Sequence, residues 1–117
     1  MSVPGTFPRR GDVYWIDFGA PRGGEIGKTR PSVIVSNDTS NRHSNRVQVV
    51  PLTSNTHRVY PSEALVHLSG RPSKAMADQI ATAAKERLGN YIATLSAEDM
   101  YDVERAIVVQ LDLNGLR

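Results

Sequence analysis

Ser32-Val33-Ile34-Val35-Ser36 and Val47-Gln48-Val49-Val50-Pro51-Leu52 are apolar runs too short for helices and rich in β-branched residues. Branched side chains pack well on a pleated surface and lose freedom in a helix, so both runs read as strands. Asp12-Val13-Tyr14-Trp15-Ile16-Asp17-Phe18, bounded by Gly11 and Gly19, reads the same way, as does Ala64-Leu65-Val66-His67-Leu68 ahead of Gly70. Lys74–Ala81 suits helix or strand by propensity, and its place after a strand and a turn favours a strand. The period changes near the C-terminus, where Met100, Val103, Ile107 and Leu111 fall at helical spacing. Ser96 offers an N-cap, and Asp99 three residues on makes a capping-box-like pair. Glu98, Asp99 and Asp102 suit the positive end of the helix dipole, and Gly115 is a late stop signal. The fold class is therefore mainly β, with about five to seven strands and one C-terminal α-helix.

At 117 residues, with 39% hydrophobic and 22% charged side chains, the chain suits one globular domain with a modest core. Residues 1–9 hold Pro, Gly and Ser without pattern and read as a flexible N-terminal arm, which leaves residues 10–113 as the domain. No apolar run approaches a membrane span, and Met1–Pro8 lacks the apolar core of a signal peptide. Without cysteine there is no disulfide framework, so a cytoplasmic address with no membrane attachment is expected. The net charge of +2 is unevenly spread. Residues 1–58 carry eight Lys/Arg against four Asp/Glu, and residues 59–117 carry six against eight. An anionic ligand on the N-terminal half fits that imbalance.

Residues 19–31 contain four glycines and two prolines, a loop long enough to be functional in a domain this small. Past it, Asn37-Asp38-Thr39-Ser40-Asn41 can open a helical turn. The loop delivers Glu25 and Arg30 to the start of one strand, while Thr53 and Ser54 end another. If those strands are neighbours, acid, guanidinium and hydroxyl converge at one sheet edge as a phosphate site. Arg30 precedes Pro31, which pushes its backbone toward extended geometry, and a guanidinium matches phosphate oxygens bidentately. Taken singly, Arg30 also reads as a surface ion-pair residue, Glu25 as a solvated loop charge, and Thr53-Ser54 as turn chemistry. Asp78-Gln79 stands between Ala77 and Ile80, with acceptors and donors suited to unpaired base edges or simply to solvent. Tyr14, Trp15, Tyr60 and Tyr91 can stack on bases, although aromatics at strand positions belong more often to a core. His43, His57 and His67 are scattered, so neither a metal nor a cofactor is expected. Gly23-Gly24-Glu25-Ile26-Gly27-Lys28-Thr29 lacks the glycine spacing of a P-loop.

Taken in order, four segments and the amphipathic helix resemble the MazF/PemK family of toxin endoribonucleases over residues 9–113. The segments are Arg10–Phe18, Gly24–Val35, Val50–Ser54 and Ala77–Ile80. The resemblance implies an SH3-like barrel of the CcdB/MazF/PemK type, working as a homodimer. Arg30 and Thr53 match the family's catalytic arginine and threonine, and Glu25 matches an acidic loop position linked to activity. Asp78 and Gln79 match a strand segment near the RNA groove, with Lys28, Ser54 and Arg87 as further substrate contacts. The implied reaction cleaves single-stranded RNA without metal or cofactor, by 2′-OH attack that leaves a 2′,3′-cyclic phosphate and a 5′-OH. A MazE-like antitoxin is the implied partner, laying an extended acidic segment along the dimer groove. Two alternatives keep the fold: a CcdB-like inhibitor of DNA gyrase and a non-catalytic RNA-binding module. Arg30 and Thr53 occurring together argue against the gyrase inhibitor.

Overall fold

The computed structural model describes residues 7–113. Residues 1–6 of the expected arm, and Gly115, lie outside them. The chain runs β1 (Asp12–Asp17), β2 (Thr29–Ile34), α1 (Asp38–His43), β3 (Arg46–Thr53), β4 (Glu63–Leu68) and β5 (Arg71–Met76). It continues through β6 (Ala81–Ala84), β7 (Leu88–Thr94) and α2 (Ala97–Leu111), with 3₁₀ turns at Ala77–Gln79 and Lys85–Arg87. All pairings are antiparallel, in the order β4-β5-β3-β2-β1-β7, and β6 also pairs with β3. The sheet curls into a half-barrel capped by α2, the mainly β fold with a C-terminal helix that the sequence predicts.

Both faces of the central strands are covered, which is why their sequences are continuous apolar runs rather than alternating ones. Val33, Val50 and Leu52 join the larger cluster with Val103 and Ala106 of α2. Ile34, Val47 and Val49 face the opposite way and pack with Ile16 and Ala83. Asn37 caps α1, its side chain accepting from Ser40 N, as the sequence predicts. Asn41 of α1 is fully buried, donating to Ser36 O at 2.8 Å and to Asp38 Oδ1 at 3.1 Å.

Ser96 caps α2 by accepting from Asp99 N at 3.0 Å. The Asp99 side chain does not reach back to complete a capping box. It turns to β4, where Oδ2 accepts from His67 N at 2.7 Å. The buried stripe of α2 is Met100, Val103 and Ala106, with Ile107 partly covered. Leu111 stays 48% exposed, because the last turn runs out beyond the cluster.

Lys74–Ala81 is a broken strand rather than a continuous one. Ala75 stands opposite Leu52 and Ala81 opposite Val49. Six residues on this side therefore face three on β3, and the surplus of three is taken up by the 3₁₀ turn Ala77–Gln79. The break falls beside Pro51, which has no amide hydrogen to give a ladder.

Tyr14 packs against the smaller cluster, its ring edge-on to Tyr91 with centroids 5.7 Å apart. Burial above all, then the charge of Asp12 and the neighbouring Tyr91, push its phenol up to about 12. The neutral phenol is thus favoured in the fold, whereas the unfolded chain ionises near pH 10. Tyr14 therefore contributes stability below pH 10 that is lost as pH rises toward 12. Urea unfolding across that window is expected to show a shallower alkaline decline for Tyr14→Phe than for the parent chain.

Candidate active site

The register of β2 and β3 places Ser32 opposite Pro51 and Val33 opposite Val50. Two residues further along each strand from the Ser32–Pro51 pair stand Arg30 and Thr53, at the same end and on the same face. The two strands are neighbours, and guanidinium and hydroxyl do converge. Arg30, Thr53 and Ser54 line one cavity of about 420 Å³, joined by Thr29, Ser73 and a second guanidinium, Arg71. Trp15, Leu52 and Ile92 contribute apolar wall. Among the described residues lining this cavity, none carries a carboxylate.

Each polar group here is oriented by its local fold. Arg30 is half-buried, and its Nε donates to Gly27 O at 3.1 Å. That bond fixes the guanidinium plane and leaves both terminal nitrogens for a ligand. Thr53 Oγ1 accepts from Asn55 N at 3.2 Å, a hydroxyl turn that leaves the O–H to donate elsewhere. Lys74 stands opposite Thr53 but is not a cation of the site. Its Nζ lies 3.3 Å from Glu63 Oε1, with both side chains largely out of water, and donates to Arg58 O at 2.9 Å.

Glu25 does not join Arg30 and Thr53 within one chain. It lines a neighbouring groove of about 600 Å³ with Asp78, Gln79 and Arg87. The reason is the course of the glycine-rich loop, which folds against the 3₁₀ turn. Gln79 Oε1 accepts from Ile26 N at 3.0 Å and Nε2 donates to Gly24 O at 3.1 Å. Asp78 and Gln79 thus sit on a turn, not on the strand expected for them, because the register surplus on β3 ejects those residues from the ladder. Arg87 donates to Asp17 O at 3.2 Å. Lys28 lines neither hollow; it is exposed, holds a left-handed φ of 66°, and its amide donates to Gly19 O at 2.6 Å.

One contributor, Arg71, escaped the sequence reading, and Trp15, which that reading allowed to stack on bases, was weighed there toward the core. Trp15 is 42% exposed at the cavity rather than buried in the core. Arg71 stands opposite Leu68 across the two-residue turn Ser69-Gly70, whose φ values of 51° and 80° give a tight hairpin. Gly70 after an alternating strand was the available signal for that hairpin, and hence for Arg71 returning beside Leu68. Chemically, two guanidiniums, several hydroxyls and an indole suit a phosphate ester attached to a flat ring. Among the described residues, no three His, Asp or Glu side chains gather as a metal site requires. No helix among them is long and apolar enough to cross a membrane.

Comparison with known proteins agrees with the fold. Residues 9–111 match the family of PemK-like, MazF-like toxins of type II toxin–antitoxin systems, and the chain belongs to that family. Endoribonuclease MazF9 of Mycobacterium tuberculosis is 37% identical over 114 residues, spanning 90% of this chain and 97% of the relative. Endoribonuclease MazF of Staphylococcus saprophyticus is 35% identical, covering 93% and 95%. Among solved structures, an endoribonuclease in complex with its cognate antitoxin from a mycobacterial species superposes with a TM-score of 0.77. It is 33% identical and covers 91% of this chain and 96% of that one. MazF of Deinococcus radiodurans shares the fold at a TM-score of 0.79 and 23% identity, covering 92% and 99%.

The cavity's charge gives a test of its own. For a single-stranded oligonucleotide, used as a flexible polyanion, Arg71→Ala is expected to weaken binding about equally across sequences. The slope of log affinity against log salt should shrink by about 0.7–1, the loss of one phosphate contact. Fluorescence anisotropy titrations at several salt concentrations measure both.

Proposed function

We propose that this chain is a toxin endoribonuclease that cuts single-stranded RNA without a metal ion. The observation that carries this reading is the pairing of Arg30 with Thr53 in a cavity whose described lining residues include no carboxylate. Membership of the toxin family and the endoribonuclease names of relatives at 35% and 37% identity support it.

The 2′-oxygen of the nucleotide before the cut attacks the adjacent phosphorus while the bond from phosphorus to the 5′-oxygen breaks. The 2′-hydroxyl gives up its proton, the leaving 5′-oxygen gains one, and the products are a 2′,3′-cyclic phosphate and a 5′-OH. Charge builds on the non-bridging oxygens of the phosphorane. Arg30, already held by Gly27 O, presents its terminal nitrogens to that charge, and Thr53 donates its O–H. Donors fixed before reaction stabilise the transition state more than the ground state. A guanidinium is a poor base because it holds its proton so tightly, so Arg30 acts here by charge and hydrogen bonding. Trp15 stacks on a flanking base. Glu25, Asp78 and Arg87 in the neighbouring groove contact the strand flanking the cut.

The partner and assembly belong to the same proposal. A cognate antitoxin occupies the RNA-binding surface with an acidic segment; the mycobacterial relative itself was solved in complex with its cognate antitoxin. The toxin works as a homodimer in the cytoplasm.

End-labelled single-stranded RNA incubated with the protein in EDTA is expected to yield discrete fragments ending in a cyclic phosphate. Arg30→Ala should lower the saturating rate by about 10²–10³-fold, the scale of losing one oxyanion-stabilising donor group. Failure of the parent chain to cut RNA of varied sequence would falsify the enzyme reading and direct attention to gyrase. Undiminished cutting by Arg30→Ala would remove Arg30 from the mechanism.

A further inference from the structure

The segment from Phe18 to Lys28 is poorly suited to hold a position by itself. It contains Gly19, Gly23, Gly24 and Gly27, and takes left-handed backbone at Gly19, Gly23 and Lys28. Its base is closed by Phe18 N donating to Lys28 O at 2.9 Å and Lys28 N to Gly19 O at 2.6 Å. At its tip, Glu25 N donates to Arg22 O at 2.8 Å, a bond internal to the loop that ties it to nothing else.

Gln79 supplies the external tie. Its carbamoyl group faces Gly24–Ile26 as one strand faces another, accepting from Ile26 N and donating to Gly24 O. The turn bearing Gln79 is itself seated on the core, since Ala77 is buried and its amide donates to Ser62 O at 3.2 Å. The next residue of the loop after Ile26 is Gly27, which is packed so closely that an added Cβ would lie 2.6 Å from Pro21. Gly27 thus packs against Pro21 of the same loop, and its carbonyl receives Arg30 Nε.

We propose that Gln79 is a positioning residue for Arg30: its amide holds the loop tip, and Gly27 O transmits that position to the guanidinium. The inference deepens the endoribonuclease reading and rests on it for the catalytic consequence, though not for the relay itself. It also changes what Gln79 is for. With Oε1 bound to Ile26 N and Nε2 to Gly24 O, the amide has little left with which to read a base.

Two measurements on Gln79→Ala and Gln79→Glu test this. The Glu variant keeps the acceptor for Ile26 and removes the donor to Gly24, which guards against a variant that merely unfolds. The first measurement is water exchange at the Arg30 Nε–H by ¹⁵N nuclear magnetic resonance, the signal being assigned by its absence in Arg30→Lys. The second is single-turnover cleavage at saturating RNA, beside the affinity for the same oligonucleotide made with 2′-deoxyribose.

The proposal expects faster exchange at Arg30 in both variants. It also expects a saturating rate lowered about tenfold to a hundredfold, the range of small misplacements at a reacting group. Affinity of Gln79→Ala for the deoxy strand should stay within about twofold, with the cutting sequence unchanged in both variants. An unaltered Arg30 signal overturns the relay even if cleavage falls. An altered signal with an unaltered rate overturns the positioning role. A shifted cutting sequence or a weakened affinity at constant rate assigns Gln79 to base reading and overturns the proposal too. A parent chain inert toward RNA sinks the endoribonuclease reading instead, and the exchange measurement then still decides the relay.

Discussion

β3 divides its hydrogen-bonding edges among three neighbours, and the site exists because of where that arrangement ends. One edge carries β2, and the other carries β6 along Arg46–Val49 and β5 at Leu52–Thr53. Its two faces belong to different clusters, Val50 and Leu52 to the larger and Val47 and Val49 to the smaller. A slip of one residue would exchange the two faces along its whole length, so the register is strongly specified. Past the buried run Val49–Leu52 this enclosure lapses at Thr53, half-buried at the strand's end, with Ser54 exposed beyond it. The same register brings Arg30 to it from β2. The geometry of the cavity is thus inherited from the packing of Val47–Leu52 rather than built separately.

What could be read from the sequence divides along the line between local and shared constraints. Val33–Val35 and Val47–Val50 announced strands because a strand buried on both faces needs apolar residues at every position. Ser96 and the apolar spacing that follows announced α2, since a cap and an amphipathic stripe are local properties. The convergence of Arg30 with Thr53 and Ser54 followed once those strands were taken as neighbours. The broken strand was invisible because it depends on a mismatch between β3 and its partners, counted only after pairing. Glu25 was misplaced relative to Arg30 for a similar reason. A loop of glycines has no preferred course, and the residue that sets it lies 53 positions away. Trp15 reads as core by type, and its exposure follows from facing the cavity at the sheet's open end.

The treatment of cations separates structure from site. Lys74 is mostly buried, and the fold matches it with Glu63 and a backbone carbonyl, as an interior charge requires. Arg30 and Arg71 share a cavity with no acid among its described lining residues. Two like charges in one hollow repel, and an arginine cannot escape by losing its proton. Stability alone gives no reason to keep such a pair, and an anionic ligand does. The contrast between these neighbouring cations is a stronger pointer to a phosphate site than the mild surplus of positive charge in the N-terminal half.

The glycine-rich loop meets two demands that conflict. A segment that approaches a nucleotide closely benefits from residues without side chains, yet glycine leaves the backbone free to wander. A guanidinium acting on a phosphorane must be fixed before the charge appears. Separating the demands resolves the conflict. Glycines shape the loop, while its position is imposed from outside by a side chain on a turn that is anchored in the core. The separation has a consequence for control, because Gln79 lines the neighbouring groove rather than the cavity. On the proposed relay, a molecule in that groove that competed for the Gln79 amide, or for the Gly24 carbonyl it holds, would loosen Arg30 without entering the cavity.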